Sequence, residues 1–340
     1  MSDASGRAIQ SRQITPSVAG DWSETTVNFA FEHPTTAHSI VFTPPGGAEL
    51  LVDDLLLYEP AAATGRATHP RGHGLAAGYP SDRNVSGHPA VLVASAFETG
   101  AWRHSWRGGT RQTVSLVASD PERKFEPLEG KALRIAVKAG GHYGASIYHK
   151  FAETAGGEPE EVYFRYYLRF ADDWNPVQGG KLPGISGTYG RAGWGGRPSD
   201  GRNGWSARGL FEGRKDGRTP VGFYCYHADM KGKYGSHWRW DRDRLGYLAN
   251  NRWYCLEQHA RMNTPGKRDG VLRAWVDGQL AFEKTDVRMR DIPGLRIEQI
   301  WINLYHGGSW TATSDHHLYL DNVVVARGYI GPMVPEAAPD

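Results

Sequence analysis

Cysteine is nearly absent: Cys225 and Cys255 are the only two in 340 residues. Two thiols cannot build a disulfide framework, and no CxxC spacing offers a zinc site. Both lie in strand-like runs, but their parities differ. Cys225 falls on the inward side of its run, whereas Cys255 shares a face with Glu257, so two free thiols are expected. Long apolar runs are also missing, and no stretch approaches the ~20 residues of a membrane-spanning helix. No segment keeps a 3.6-residue apolar period over helical length, which argues against a helical domain. Net charge is close to zero: 39 Lys and Arg against 37 Asp and Glu leave +2. The chain as a whole is therefore not a polyelectrolyte partner for nucleic acid. The opening MSDASGRAIQ has no apolar stretch of the kind a secretory leader needs. No internal repeat is found.

Glycine and the large aromatics, by contrast, are plentiful, with 43 Gly, 12 Trp and 16 Tyr. Together with many short alternating runs they suggest an all-β protein with long loops. Exposed aromatic rings would also suit sugars, because an apolar ring face stacks on the C–H face of a pyranose while the polar tip stays wet. Residues 1–60 contain TTVNFAF, SIVF and ELLVDDLLLY, which resemble part of a carbohydrate-binding β-sandwich too short to be complete. Residues 61–90, rich in Ala, Gly, Pro and His, read as a linker. The main domain is expected over 91–333. Within it EVYFRYYLRFAD alternates strongly, with Val162, Phe164, Tyr166, Leu168 and Phe170 on one side. GVLRAWVDGQLAFEKTD reads as a hairpin turning at Asp277-Gly278. Regularly spaced strands with turn signals point to a β-jelly roll, a concanavalin-like β-sandwich.

Charge is distributed unevenly. From Lys181 to Arg261 there are fifteen Lys and Arg against seven Asp and Glu, so the rest of the chain carries a net −6. A basic middle on a near-neutral chain points to a local anionic ligand. In GWSARGLF and VGFYCYHAD, period-two alternation puts Ser206 and Arg208 on one face of one strand, and Tyr224 and Tyr226 on one face of the next. A hydrophobic core has no use for those four groups. On RWYCLEQHARMN, Leu256, Ala260 and Met262 should face the core, with Gln258 among them. Glu257, His259 and Arg261 should then point into a groove. Upstream lies a Gly-rich stretch, expected to be a loop, that carries Lys181.

Lysine, arginine, serine, tyrosines and a histidine on one groove suit β-elimination on a uronic-acid polymer. The proton on C5, beside the carboxylate, is weakly acidic. A cation or donor must therefore neutralise the carboxylate, a base must take the proton, and an acid must protonate the leaving O4. Arg offers a fork matched to a carboxylate. Tyrosine serves either proton role if a cation lowers its pKa. His142, His149, His306, His316 and His317 read as structural or surface groups.

The order GKLPG, SAR, YCY and then EQHARMNTPGKRDGVLRAWVDG resembles polysaccharide lyase family 14 over about residues 91–333. It is similar also to the glucuronan lyases of family 20 and the cellulose-induced fungal proteins of that fold. The resemblance implies a jelly-roll enzyme cutting alginate or glucuronan by β-elimination. It implies Lys181, Ser206, Arg208, Tyr224 and Tyr226 as the catalytic set. Lys181 and Arg208 would neutralise the uronate, one tyrosine would act as base, acid or both, and Ser206 would orient substrate or a hydroxyl. From their place on the strand rather than from the resemblance, Glu257, His259 and Arg261 are expected to bind substrate, with Glu257 and His259 also second candidates for proton transfer. The insertion EGRKDGRTP is long for the family. Related jelly rolls imply a structural calcium held by Glu98 and Asp321, whereas the chemistry itself calls for no cofactor. The partner expected is an acidic polysaccharide, with no nucleic acid and no membrane. A monomer, secreted or periplasmic with its leader removed, completes the expectation. The alternatives are a noncatalytic carbohydrate-binding protein, which has no use for Ser-x-Arg with Tyr-x-Tyr, and a glycoside hydrolase. The latter needs carboxylates paired across a groove, and no partner of matching parity for Glu257 stands out.

Overall fold

The computed structural model describes residues 74–109, 113–153 and 156–336. The strand segment expected over 1–60 lies outside the described residues, as does 61–73 of the expected linker. In chain order the strands are β1 (Val91–Ser95), β2 (Arg107–Gly109), β3 (Val114–Val117), β4 (Ala132–Val137), β5 (Tyr143–Lys150), β6 (Glu161–Phe170), β7 (Gly180–Gly187) and β8 (Trp205–Phe211). There follow β9 (Thr219–Tyr226), β10 (Ser236–Arg239), β11 (Tyr247–Leu248), β12 (Trp253–Arg261), β13 (Gly270–Val276), β14 (Gln279–Val287), β15 (Gln299–His306) and β16 (His316–Ala326). No α-helix occurs among the described residues, and so none that could cross a membrane.

Two antiparallel sheets of eight strands pack face to face as a jelly-roll sandwich. The first runs β14-β13-β12-β6-β16-β4-β3, with β1 also paired to β16. The second runs β10-β9-β8-β7-β15-β5-β2, with β11 also paired to β9. The alternation of β6 explains how they meet. Val162, Phe164, Tyr166, Leu168 and Phe170 are all fully buried, in one core with Ala207, Phe223, Ile300 and Ile302 of the second sheet. Burying each such side chain stabilises the fold by about 1.5–3 kcal/mol. The hairpin from β13 to β14 turns where expected, with Asp277 and Gly278 at φ 50° and 77°, the left-handed pair of a type I′ turn. Both cysteines are buried and free.

Residues 74–90, expected to belong to a linker, instead form three short 3-10 turns tied to the domain. The amide of Ala76 donates to the Ile330 carbonyl and that of Ser81 to the Val334 carbonyl. Asp82 pairs with Arg165, which is fully buried on the outer face of β6. A buried guanidinium without a counter-charge would be costly, so the turns cover that face and neutralise it together.

The stretch carrying Lys181 is a strand rather than a loop. Its glycines mark close approaches. A Cβ on Gly184 would lie 2.5 Å from both the Ala207 carbonyl oxygen and Arg208 Cα, so only glycine lets β7 pass β8 here. The register of β7 against β8 shifts between Leu182 and Ile185, and Pro183 sits in that bulge, where a missing N–H does least harm. Gln258, the polar residue on the inward face of β12, accounts for the carbonyl: its Nε2 donates to Pro183 O at 2.8 Å and reaches Tyr166 Oη at 3.3 Å. Gln258→Leu should leave both groups buried without that partner. The expected loss is about 1–3 kcal/mol, read as a lower denaturant midpoint at unchanged slope.

Candidate active site

β8 and β9 pair with Ser206 opposite Tyr226 and Arg208 opposite Tyr224. Period-two geometry therefore makes one block of the four residues, on the face of the second sheet that points away from the core. β7 brings Lys181 alongside, opposite Leu210 on β8 and Tyr305 on β15. The Lys181 ammonium lies 3.8 Å from the centre of the Tyr224 ring. The Arg208 guanidinium lies 5.6 Å from that ring and 5.1 Å from Trp301, and its Nη1 donates to Asn303 Oδ1 at 3.3 Å. The structure thus brings together all five residues named from the two strand motifs and the GKLPG run.

Neither cation has a carboxylate partner among the described residues. Burial pushes the Lys181 amine down to about 7, and the charge of Arg208 adds to that depression. Arg208 is held down to about 10 by burial, with the phenols of Tyr226, Tyr224 and Tyr305 opposing the shift, so it stays charged at neutral pH. Its Nε is buried without a hydrogen-bond partner. Two neighbouring cations facing phenols and no acid make a site that is electrostatically incomplete until an anion arrives. Tyr224 moves the other way. Burial, reinforced by Tyr226, raises its pKa well above that of a free phenol, so at neutral pH it carries a proton it can give.

Two loops close over the Tyr226 end. Ser206 Oγ donates to Gly193 O at 2.6 Å, and the Gly196 amide donates to Tyr226 Oη at 3.1 Å. The Gly235 amide donates to Tyr224 Oη at 3.2 Å, and Met230 packs against the cluster that Leu210 and the two tyrosines form. Ser206 and Tyr226 are 0% and 1% exposed. Ser206 therefore anchors the 188–204 loop, whereas Lys181 is the member of the block that remains partly open.

Three residues expected in the groove are not there. Glu257, His259 and Arg261 do point away from the core, but β12 belongs to the first sheet, so they point out of the opposite side of the sandwich. Glu257 is buried and accepts the Ile330 and Gly331 amides, each at 2.8 Å; burial pushes its pKa up to about 7. His259 Nε2 meets Glu161 Oε1 at 2.6 Å, and its ring stacks on Tyr163. Arg261 is exposed beside the Asp269 carbonyl. Their place is filled by residues that sequence reasoning passed over: His237 opposite Tyr224, and Trp301, Asn303 and Tyr305 on β15. The alternation of EQIWINLYHG carried the signal for the last three.

Asp321 is fully buried. Its Oδ1 accepts the Asn322 amide at 2.8 Å, while Oδ2 has no partner. Burial, with Glu98, Glu129 and Asp82 adding to it, pushes this carboxyl up to about 8. Both oxygens of Glu98 accept the Lys131 amide. An unpartnered buried oxygen among carboxylates suits a hard cation, although no group of three side-chain ligands gathers there among the described residues.

Residues 130–323, more than half the chain, match the family model described as polysaccharide lyase 14. Among solved structures, the alginate lyase Aly36B in complex with alginate trisaccharide is similar at 21% identity and TM-score 0.55, covering 69% of this chain and 93% of that one. The marine PL-14 alginate lyase from Aplysia kurodai is similar at 20% identity and TM-score 0.52, covering 70% and 98%. At such identities these structures establish the fold. No curated protein matches the sequence.

Proposed function

We propose, for a chain that belongs to the polysaccharide lyase 14 family and is a polysaccharide lyase, that its substrate is a 4-linked uronic-acid polymer, alginate or glucuronan, cut by β-elimination. The observation that carries this is the buried Arg208 guanidinium, which shares the Tyr224 ring with the Lys181 amine and has no carboxylate partner among the described residues. A uronate carboxylate supplies the missing charge. A neutral glucan does not, and a hydrolase would need paired carboxylates, which are not found on this face among the described residues.

Arg208 takes the sugar carboxylate and stabilises charge that builds on it as the C5 proton leaves. Lys181, whose amine is half neutral near pH 7, accepts that proton. The C5 electron pair forms the C4=C5 double bond as the C4–O4 bond breaks. Tyr224 gives its proton to the departing O4. The ammonium and the phenolate so formed lie side by side, and proton return between them resets the site. Tyr226 and Ser206 hold the covering loop. The decisive experiment is a panel of acidic polysaccharides watched for the ultraviolet absorbance of unsaturated uronate ends, with neutral glucans as controls. Absorbance should rise on a uronan and on no neutral glucan; a rise on neutral glucans alone, or on none of the panel, would refute the substrate class.

A structural calcium belongs to this proposal at Asp321 and Glu98, where it would neutralise a buried carboxylate and take no part in the elimination. Millimolar calcium is expected to raise the Tm by several degrees, and Asp321→Asn to abolish the rise. Equal midpoints in calcium and in chelator would remove the ion from the proposal. Work outside the cytoplasm is also part of it, because a polymer of this kind does not cross a membrane.

A further inference from the structure

We propose that Tyr143, Tyr305 and Trp310 form a stacking platform for a further sugar ring of the polymer, beyond the one that reacts; this rests on the substrate reading above. Among the described residues four large hydrophobic side chains are exposed, and two of them, Tyr143 at 54% and Trp310 at 42%, lie where β5 begins and just after β15 ends, beside the start of β7. Exposed rings gathered beside a polar site are the usual mark of a ligand surface.

The register places them. Tyr305 on β15 is opposite Lys181 on β7 and, on its other side, opposite Tyr143 on β5. Lys181, Tyr305 and Tyr143 thus form one row across three strands. With strands about 4.8 Å apart, Tyr143 stands ~10 Å along the sheet from the strand of Lys181, where a polymer chain lying across the strands would carry its next units. The rings are held in place. Tyr143 and Tyr305 meet edge to face with centres 5.0 Å apart, and His142 stacks on Tyr305 at 5.5 Å and 10°. Trp310 Nε1 donates to Gly179 O at 3.2 Å, and Tyr305 Oη donates to Gly308 O at 3.4 Å. A Cβ on Gly308 would lie 3.7 Å from the indole ring, in ordinary contact, so this glycine sits close to Trp310. Rings pre-set in this way bind a pyranose face with little ordering cost.

The occupant is the C–H face of a sugar in the same chain, so the platform should matter for polymers and long oligomers and not for the shortest ones cut. In the double variant Tyr143→Ala, Trp310→Ala, KM for the cleaved uronan should rise about tenfold with kcat nearly kept, the signature of lost uniform binding. KM for the shortest cleaved oligomer should not change. Tyr143→Phe, Trp310→Phe keeps the rings and should restore the polymer KM, which separates stacking from misfolding. Unchanged polymer KM in the alanine pair would overturn the platform, as would failure of the phenylalanine pair to restore it. A second measurement separates this inference from the substrate reading: uronan and neutral-glucan oligomers are titrated against the chain by intrinsic fluorescence. If no uronan is cleaved yet glycan binding still falls in the alanine pair and returns in the phenylalanine pair, the substrate reading fails and the platform stands. Binding that is the same in all variants would dismiss the platform whatever the substrate.

Discussion

Lys181→Met is expected to lower kcat on the cleaved uronan by about 10²–10⁴-fold, the range for loss of a positioned base, while making the protein more stable at pH 7. The two effects share one cause. Burial and Arg208 hold the Lys181 amine at about 7 in the folded chain, against 10.5 for an ordinary lysine. Between those values the unfolded chain binds a proton that the folded chain refuses. Stability therefore rises with pH through that window, and is lost as pH falls from about 10.5 to about 7. Below it the penalty is constant. Each pH unit corresponds to about 1.4 kcal/mol, and solvent at the partly open amine screens much of it, so the methionine variant should gain roughly 1–2 kcal/mol at pH 7. The gain should shrink toward pH 10.5. A variant inactive because it is damaged would lose stability, so thermal melts beside rate measurements tell the cases apart. In the wild type, kcat/KM should fall below pH 7 as the amine takes a proton. The limb for kcat should lie higher, because a bound carboxylate raises the amine's pKa.

Arg208→Gln is expected to cost about 10²–10³-fold in kcat/KM, the scale for removing a donor aimed at developing charge. Arg208→Lys should recover little of it, since an ammonium keeps charge but not the planar fork. The second readout is sharper. Arg208 is the charge that helps depress Lys181. Without it the acid limb of kcat/KM should move upward from about 7, whereas in Arg208→Lys it should stay near the wild-type position. A limb that ignores the charge at position 208 would mean that the two groups do not act on one another.

Alternation carried most of the sandwich. The inward face of β6 and the turn at Asp277-Gly278 were legible because period two and the Asp-Gly pair report local geometry. The Ser206, Arg208, Tyr224, Tyr226 block was legible in part for the same reason: period two puts Ser206 with Arg208 and Tyr224 with Tyr226, and the register that sets Ser206 opposite Tyr226 then joins the two pairs. The error over Glu257, His259 and Arg261 has a physical cause. Parity separates core from solvent, but it does not say which of two sheets a strand joins, and the outer faces of a sandwich look in opposite directions. In the sequence Gly180, Gly184 and Gly187 read as flexibility, and so as a loop around Lys181. In the fold at least one of them, Gly184, marks the close passage of β7 against β8. Residues 74–90 look like a linker by composition, and the contacts that hold them, the backbone hydrogen bonds to Ile330 and Val334 and the pairing of Asp82 with Arg165, join positions far apart in sequence.

The most direct measurement is the ionisation of Lys181 itself. With lysine enriched in ¹³C at Cε, the resonance missing from the Lys181→Met spectrum can be followed from pH 5 to pH 12. A midpoint near 7 is the result expected of a buried amine beside an unbalanced guanidinium. A midpoint near 10.5 would show an ordinary lysine, charged throughout the neutral range, and the base assigned to Lys181 would not survive it.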